Sequence, residues 1–149
     1  MNNSITPGIL NRVPGLVSKK INFTANAGFA AISTANANLD GTGAISTVIT
    51  GASNGTLIKT ITIKATGTTT RGMVRLFLNN GIAFTRILDE VMIPARIQSS
   101  IQTAFEITYD VNWYLLSGYS IGASTENAEG FAVTALGMDY AYPASLNGL

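Results

Sequence analysis

The sequence predicts an all-β protein, a single jelly-roll-like antiparallel β-sandwich preceded by an extended arm. Three observations predict this fold. Short runs of alternating apolar and polar residues recur along the chain, glycine and asparagine turn signals separate them, and no long amphipathic helix pattern interrupts them. We count roughly eight such runs, the number of strands in a jelly roll. The 149 residues suffice for one domain with a full core.

Residues 1–16 are predicted to form an extended N-terminal arm, and residues 17–149 the sandwich domain. Pro7 and Pro14 punctuate the arm, and a proline disfavours helix in the residue before it. The arm is too apolar for a free linker, so we expect it to dock, either on its own domain or on a neighbouring subunit. The residues that would bind a partner are Ile5, Ile9, Leu10, Val13 and Leu16.

The first half of the domain contains one strand that is clearer than the rest. We predict that a first strand begins in "VSKKINFTA" and that a second comprises Ala44 to Thr50. For residues 29–43 the pattern fits either a short strand or a loop. After the turn "GASNG", the run "LIKTITIKAT" is dense in β-branched residues. Its alternation places Lys59 on one face with Ile61 and Ile63, and Ile58 on the other face.

The second half predicts a hairpin and three further strands. Residues 73–81 and 82–94 flank the turn dipeptide Asn80-Gly81, with Val74, Leu76 and Leu78 on one face and Met73, Arg75 and Phe77 on the other. "ARIQSSIQ" is a loop or one helical turn. The remaining strands are predicted at residues 103–112, 119–124 and 131–142.

Composition excludes several classes of function. The chain contains neither cysteine nor histidine, which removes disulfides, thiolate nucleophiles, Ser-His-Asp catalysis and histidine-based metal chemistry. A formal net charge of +1 gives no reason to expect nucleic-acid binding. No apolar run approaches the roughly 20 residues of a membrane span. We therefore expect no cofactor, no nucleic acid and no membrane among its partners.

Charged residues make up 11% of the chain, well below the roughly 25% of ordinary soluble domains. Two explanations fit this composition. Much of the surface contacts other protein copies, or the chain is a threonine- and serine-rich extracellular β domain.

The charged candidates for a site have simpler structural interpretations. Glu126 and Glu129 lie between two strands, so a solvated hairpin tip is favoured over a Ca²⁺ site or a carboxylate pair. Asp89 and Glu90 are adjacent in a strand and point to opposite faces. We expect Arg75 to pair across strands with Asp89 or Glu106.

The aromatic candidates are Trp113, Tyr114 and Tyr119. Aromatic residues at the end of a strand usually cap a core, which is the favoured interpretation. A subunit interface and stacking on a sugar ring are the two alternatives.

The second half of the chain also resembles a known group of proteins. The segments are "GTLIKTITIKATGTTTRGMVRLFL", "ILDEVMIPA" and "YLLSGYSIGASTENAEGFAVTALGMDY". In this order they resemble small β-sandwich structural proteins of tailed bacteriophages, namely capsid decoration or auxiliary head proteins such as those of crAss-like phages. The similarity covers residues 55–140 and contains no catalytic residue.

The resemblance implies a non-enzymatic virion protein that cements the outer surface of the phage head. Such a protein would be made in the bacterial cytoplasm, assemble as a homotrimer and bind the major capsid protein. Two alternatives stay open: a tail, baseplate or fibre component of the virion, and a carbohydrate-binding β-sandwich module.

Overall fold

The computed structural model of the protein describes residues 21–141. These residues form eight β-strands, and no helix that is long and apolar enough to cross a membrane occurs among them. The strands are β1 (Asn22–Ile32), β2 (Ser46–Thr50), β3 (Thr56–Ala65), β4 (Gly72–Asn79), β5 (Phe84–Ile93), β6 (Glu106–Leu115), β7 (Ser120–Thr125) and β8 (Phe131–Ala141).

The strands form two four-stranded antiparallel sheets. The first sheet has the order β1-β8-β3-β6, and the second has the order β2-β7-β4-β5. Strand 1 thus pairs with 8, 2 with 7, 3 with 6 and 4 with 5, and successive pairs alternate between the sheets. This is the topology of a jelly roll. The predicted all-β sandwich is confirmed.

The core lies between the two sheets. Its centre is β-branched, because Ile58, Ile61 and Ile63 of β3 are completely buried. Residues from β4, β7 and β8 close the core from both sides, namely Val74, Leu76, Ile121, Ala123, Phe131, Val133 and Ala135. Each buried aliphatic side chain contributes about 1.5–3 kcal/mol to the transfer free energy that drives folding.

A β-bulge corrects the predicted faces of β3. The register shifts between Ile58 and Thr60 against both neighbouring strands. Ile58 therefore lies on the same buried face as Ile61 and Ile63, whereas Lys59 points to solvent and donates to the Asn112 side chain at 2.6 Å. The predicted sharing of a face by Lys59 and Ile61 is wrong, because the bulge adds one residue to the alternation.

The strand boundaries follow the turn signals closely elsewhere. The loop between β4 and β5 occupies residues 80–83, and Gly81 adopts a positive φ of 91° there. Residues 95–102 form a loop rather than a helical turn, held to the β3–β4 loop by a bridge between Thr69 and Arg96. The region that the sequence left open is strand up to Ile32.

Candidate interaction surface

The arm residues Ile5, Ile9, Leu10, Val13 and Leu16 lie outside the described residues. Asn22 at the start of β1 pairs with Ala141 at the end of β8. Residues 1–20 and 142–149 are therefore joined to the sandwich at one common corner. The predicted boundary between arm and domain, after residue 16, also lies outside the described part.

The three aromatic candidates separate into two environments. Trp113 and Tyr119 are partly buried and pack against the hydrophobic core. Tyr114 points outward and is 53% exposed. Because adjacent residues of a strand face opposite sides, Trp113 and Tyr114 do not share one surface. The three rings therefore do not form a single stacking site.

Tyr114 belongs instead to an aromatic cluster at the corner where the two chain ends meet. Its ring centroid lies 5.5 Å from that of Tyr140 at an interplanar angle of 56°. Tyr140 in turn lies 5.2 Å from Phe23 at 59°. Tilted contacts at these distances are favourable for aromatic rings. The cluster fixes the ring of Tyr114 against the sheet rather than leaving it free.

The turn before β3 helps to hold this ring. The Tyr114 hydroxyl donates to the carbonyl of Asn54 at 3.0 Å. The next residue, Gly55, has a φ of 89°, and a Cβ there would lie 2.2 Å from the Tyr114 hydroxyl. Only glycine fits this position, both for its backbone conformation and for the close approach of the ring.

The aromatic cluster is one end of a larger apolar surface on the first sheet. Alternate residues of β1 and β8 enter the core, so the residues between them point outward. We call these outward residues the outer apolar face. They are Phe23, Ala25, Ala27, Phe29 and Ala31 of β1 and Ala132, Thr134, Leu136, Met138 and Tyr140 of β8. None of them is charged.

This face is open to solvent in the described part of the chain. Every outward residue of β1 is exposed, with Phe23 at 55% and Phe29 at 62%. Leu136 of β8 is 48% exposed. On the outward side of this sheet, charged residues occur only on β3 and β6, where Lys64 pairs with Glu106 at 2.9 Å.

The second sheet differs, because the β1–β2 loop covers part of its outer side. Asn36 donates its backbone N–H to Thr125 of β7, and Gly41 packs against the backbone of Phe84 of β5. Phe77, which faces outward from β4, is completely buried, and its register partner Gly122 lies beneath the Phe84 ring. The chain thus covers one outer side with its own loop.

Arg75 is buried on the same outer side of the second sheet, and its partners differ from the predicted ones. The Arg75 guanidinium lies 2.9 Å from Glu90 through Nε and 3.7 Å from Glu126 through Nη2. Its side chain is only 8% exposed. Asp89 and Glu106 are not its partners. Because two carboxylates already compensate the charge of Arg75, these contacts are structural ion pairs, and Arg75 does not form an anion-binding site.

Glu126 and Glu129 also have structural contacts. The Glu129 carboxylate accepts hydrogen bonds from the backbone and hydroxyl of Thr70, and Glu126 approaches Arg75. The loop is therefore tied to the β3–β4 loop rather than freely solvated. Among residues 21–141, no three His, Cys, Asp or Glu side chains converge in a way that would hold a metal ion.

One titratable group beside the core is strongly perturbed. Tyr109 of β6 packs against the core, and its buried hydroxyl oxygen has no partner in hydrogen-bonding geometry. Burial, together with the nearby negative charge of Asp89, raises the pKa of the Tyr109 phenol far above its usual value. This phenol stays protonated at physiological pH, so it supplies no general base.

Comparison with known proteins adds nothing to the fold. No family model, no curated protein and no solved structure matches this chain. The resemblance to phage decoration proteins therefore stays a prediction.

The sequence did not identify the outer apolar face as a candidate surface. Its signal was present in β1, where Phe23 and Phe29 alternate in step with three alanines. Alanine and asparagine have low strand propensity, so the sequence predicts the first strand only as far as Ala25 and does not decide between strand and loop for residues 29–43. Because the predicted strand ends before Phe29, the face that Phe29 shares with Phe23 cannot be recognised from the sequence.

Proposed function

We propose that this protein is a non-enzymatic structural component of a phage particle, and specifically a decoration protein that cements the outer surface of the capsid. The observation that carries the proposal is that the eight strands and the core between them lie within residues 22–141. Residues 22–141 alone thus supply all eight strands of a jelly roll. We propose that the apolar residues of the arm bind a partner, the major capsid protein.

The fold itself is compatible with this role and with others. Jelly rolls occur in viral capsid proteins and in lectins, and a fold does not imply a function. The charge-poor outer apolar face supports contact with protein. The proposed mechanism is that Ile5, Ile9, Leu10, Val13 and Leu16 bury apolar surface on the capsid. Repetition over many copies multiplies a small contribution from each chain.

Binding to particles tests the arm directly. Deleting residues 1–16 should leave the circular dichroism spectrum of the sandwich unchanged and abolish binding to particles that lack this protein. In the full-length chain, Ile9→Ser with Leu10→Ser should weaken binding by about 10- to 100-fold, because two buried aliphatic contacts are lost. The matched control is Asn2→Ser with Asn3→Ser, which leaves the apolar residues in place.

A truncated chain that still decorates particles would refute the proposed role of the arm. Binding to tails or baseplates instead of heads would favour the alternative location in the virion.

The carbohydrate-binding alternative rests on one observation, the exposed ring of Tyr114. The rings of the aromatic cluster are tilted by 56° and 59°, so they offer no flat common platform for a sugar. Trp113 is the only tryptophan and packs against the core. We expect its fluorescence to be blue-shifted and unaffected by sugars. Quenching by a sugar would favour the binding module.

A further inference from the structure

We propose that the outer apolar face is a self-association surface, which a second copy of this chain covers. The inference deepens the proposed structural role by naming the surface through which copies would contact each other. It depends on the described residues of β1 and β8 and not on the arm.

The size of the face fits a protein interface. An 11-residue strand such as β1 is roughly 37 Å long at about 3.4 Å per residue, and each strand adds about 4.8 Å to the width of a sheet. The two strands of the outer apolar face therefore cover roughly 350 Å², and the whole outward side of the first sheet roughly 700 Å², close to the ~800 Å² that each partner contributes to a standard interface. The apolar strands would form the centre of such an interface, and the outward sides of β3 and β6, which carry Lys64 and Glu106, its polar rim.

The chemistry of the face favours protein over other occupants. Interface centres are enriched in aromatic residues and methionine and depleted in charge, and this face carries Phe23, Phe29, Met138 and Tyr140 with no charged residue. A membrane surface with anionic lipids would select lysine and arginine beside the apolar residues. The outward positions of β1 and β8 provide neither.

The pattern of large and small residues favours a copy of the same chain. Along β1, Ala25 and Ala27 lie between the two exposed rings of Phe23 and Phe29. A face that carries both bulky residues and hollows can pack against itself, because the rings of one copy fit over the alanines of the other.

The outer edge of β1, beside this face, pairs with no other strand among residues 21–141. Exposed edge strands are normally kept from pairing by charges, proline, bulges or short length. Strand β6 carries Glu106, Asp110 and a bulge, β5 has two register shifts, and β2 has only five residues. Strand β1 pairs with β8 over its whole length without a shift and has no charged residue. This edge, unpaired within the described residues, and the face beside it favour association with another chain.

Sedimentation equilibrium of the full-length chain tests this inference. We expect a mass of two or more chains for the wild type at micromolar concentration. Phe29→Glu and Leu136→Glu should each weaken self-association at least about 100-fold, because carboxylates would be buried in the contact. Both side chains are exposed in the single chain, so the circular dichroism spectrum should not change.

The matched control is Thr85→Glu, another exposed position, on the edge strand β5 of the second sheet, which should leave the mass unchanged. A monomeric wild type, or a Phe29→Glu variant with the mass of the wild type, would overturn the inference. Either result leaves the particle-binding test of the arm unaffected, and a failure of particle binding leaves the sedimentation result unaffected. The two proposals therefore fail separately.

Discussion

Tyr109 lies at the edge of the core, and its environment changes the properties of its hydroxyl group. It lies on β6, an edge strand, and packs against the core while its hydroxyl oxygen is buried without a hydrogen-bond partner. A buried tyrosine hydroxyl usually has a hydrogen-bond partner. Here the polar atom lies near Asp89 of the opposite sheet, which further disfavours the phenolate.

The raised pKa of Tyr109 predicts a loss of stability at alkaline pH. Above roughly pH 10, the unfolded chain releases the Tyr109 proton while the folded chain retains it. The free energy of unfolding should then fall by at most about 1.4 kcal/mol per pH unit through this residue. Tyr109→Phe should remove this slope and leave stability at pH 7 within about 1 kcal/mol of the wild type.

Urea denaturation of both proteins at pH 7 and pH 11 measures the difference, and the remaining tyrosines are common to both. An equal loss of stability in the two proteins would show that Tyr109 ionises normally in the folded chain.

Single residues also show which structural features can be predicted from the sequence and which cannot. Alternation predicts Val74, Leu76 and Leu78 on one face of β4, and the structure confirms this, because β4 pairs with β7 without a register shift. The face predicted for Lys59 is wrong, because β3 contains a bulge there. This bulge lies in a run of β-branched residues, without a glycine or proline that would indicate it in the sequence. The burial of Arg75 could not be predicted because its partners, Glu90 and Glu126, come from other strands and loops.

At the scale of elements, β1 and β2 approach each other unusually closely across the sandwich. Gly28 of β1 is the residue that permits this. A Cβ at Gly28 would lie 2.2 Å from the carbonyl oxygen of Val48 and 2.6 Å from the Cβ of Ile49. Both contacts are far below van der Waals distance, and one of them is with the backbone, which cannot move alone.

We therefore predict that Gly28→Ala destabilises the protein. Separating β1 from β2 to admit one methyl group should cost about 1–3 kcal/mol of unfolding free energy. The matched control is Gly67→Ala, because the nearest atom to a Cβ there is the Gln98 side-chain oxygen at 3.9 Å and its φ is not positive. Chemical denaturation compares the two. Equal stability of both variants would mean that β1 can shift away from β2 at little cost.

At the scale of the whole molecule, the two outer sides of the sandwich differ in how far they are covered. On the second sheet, Phe77 is buried, and Gly122 lies beneath the Phe84 ring and the Ile45 side chain of the β1–β2 loop, whereas the outer apolar face of the first sheet is open within residues 21–141. The sequence predicted the sandwich from its alternation and turns. It could not predict which side would be covered, because that depends on where a loop distant in sequence crosses the sheet.

We propose that this chain decorates a phage capsid. The most direct test of this proposal is the copy number of the chain in purified particles of its proposed source phage, relative to the major capsid protein, by quantitative mass spectrometry. A decoration protein on a head lattice should be present in numbers comparable to those of the capsid subunits. A handful of copies per particle would contradict the claim and indicate a tail or vertex location, and absence from particles would refute a virion role.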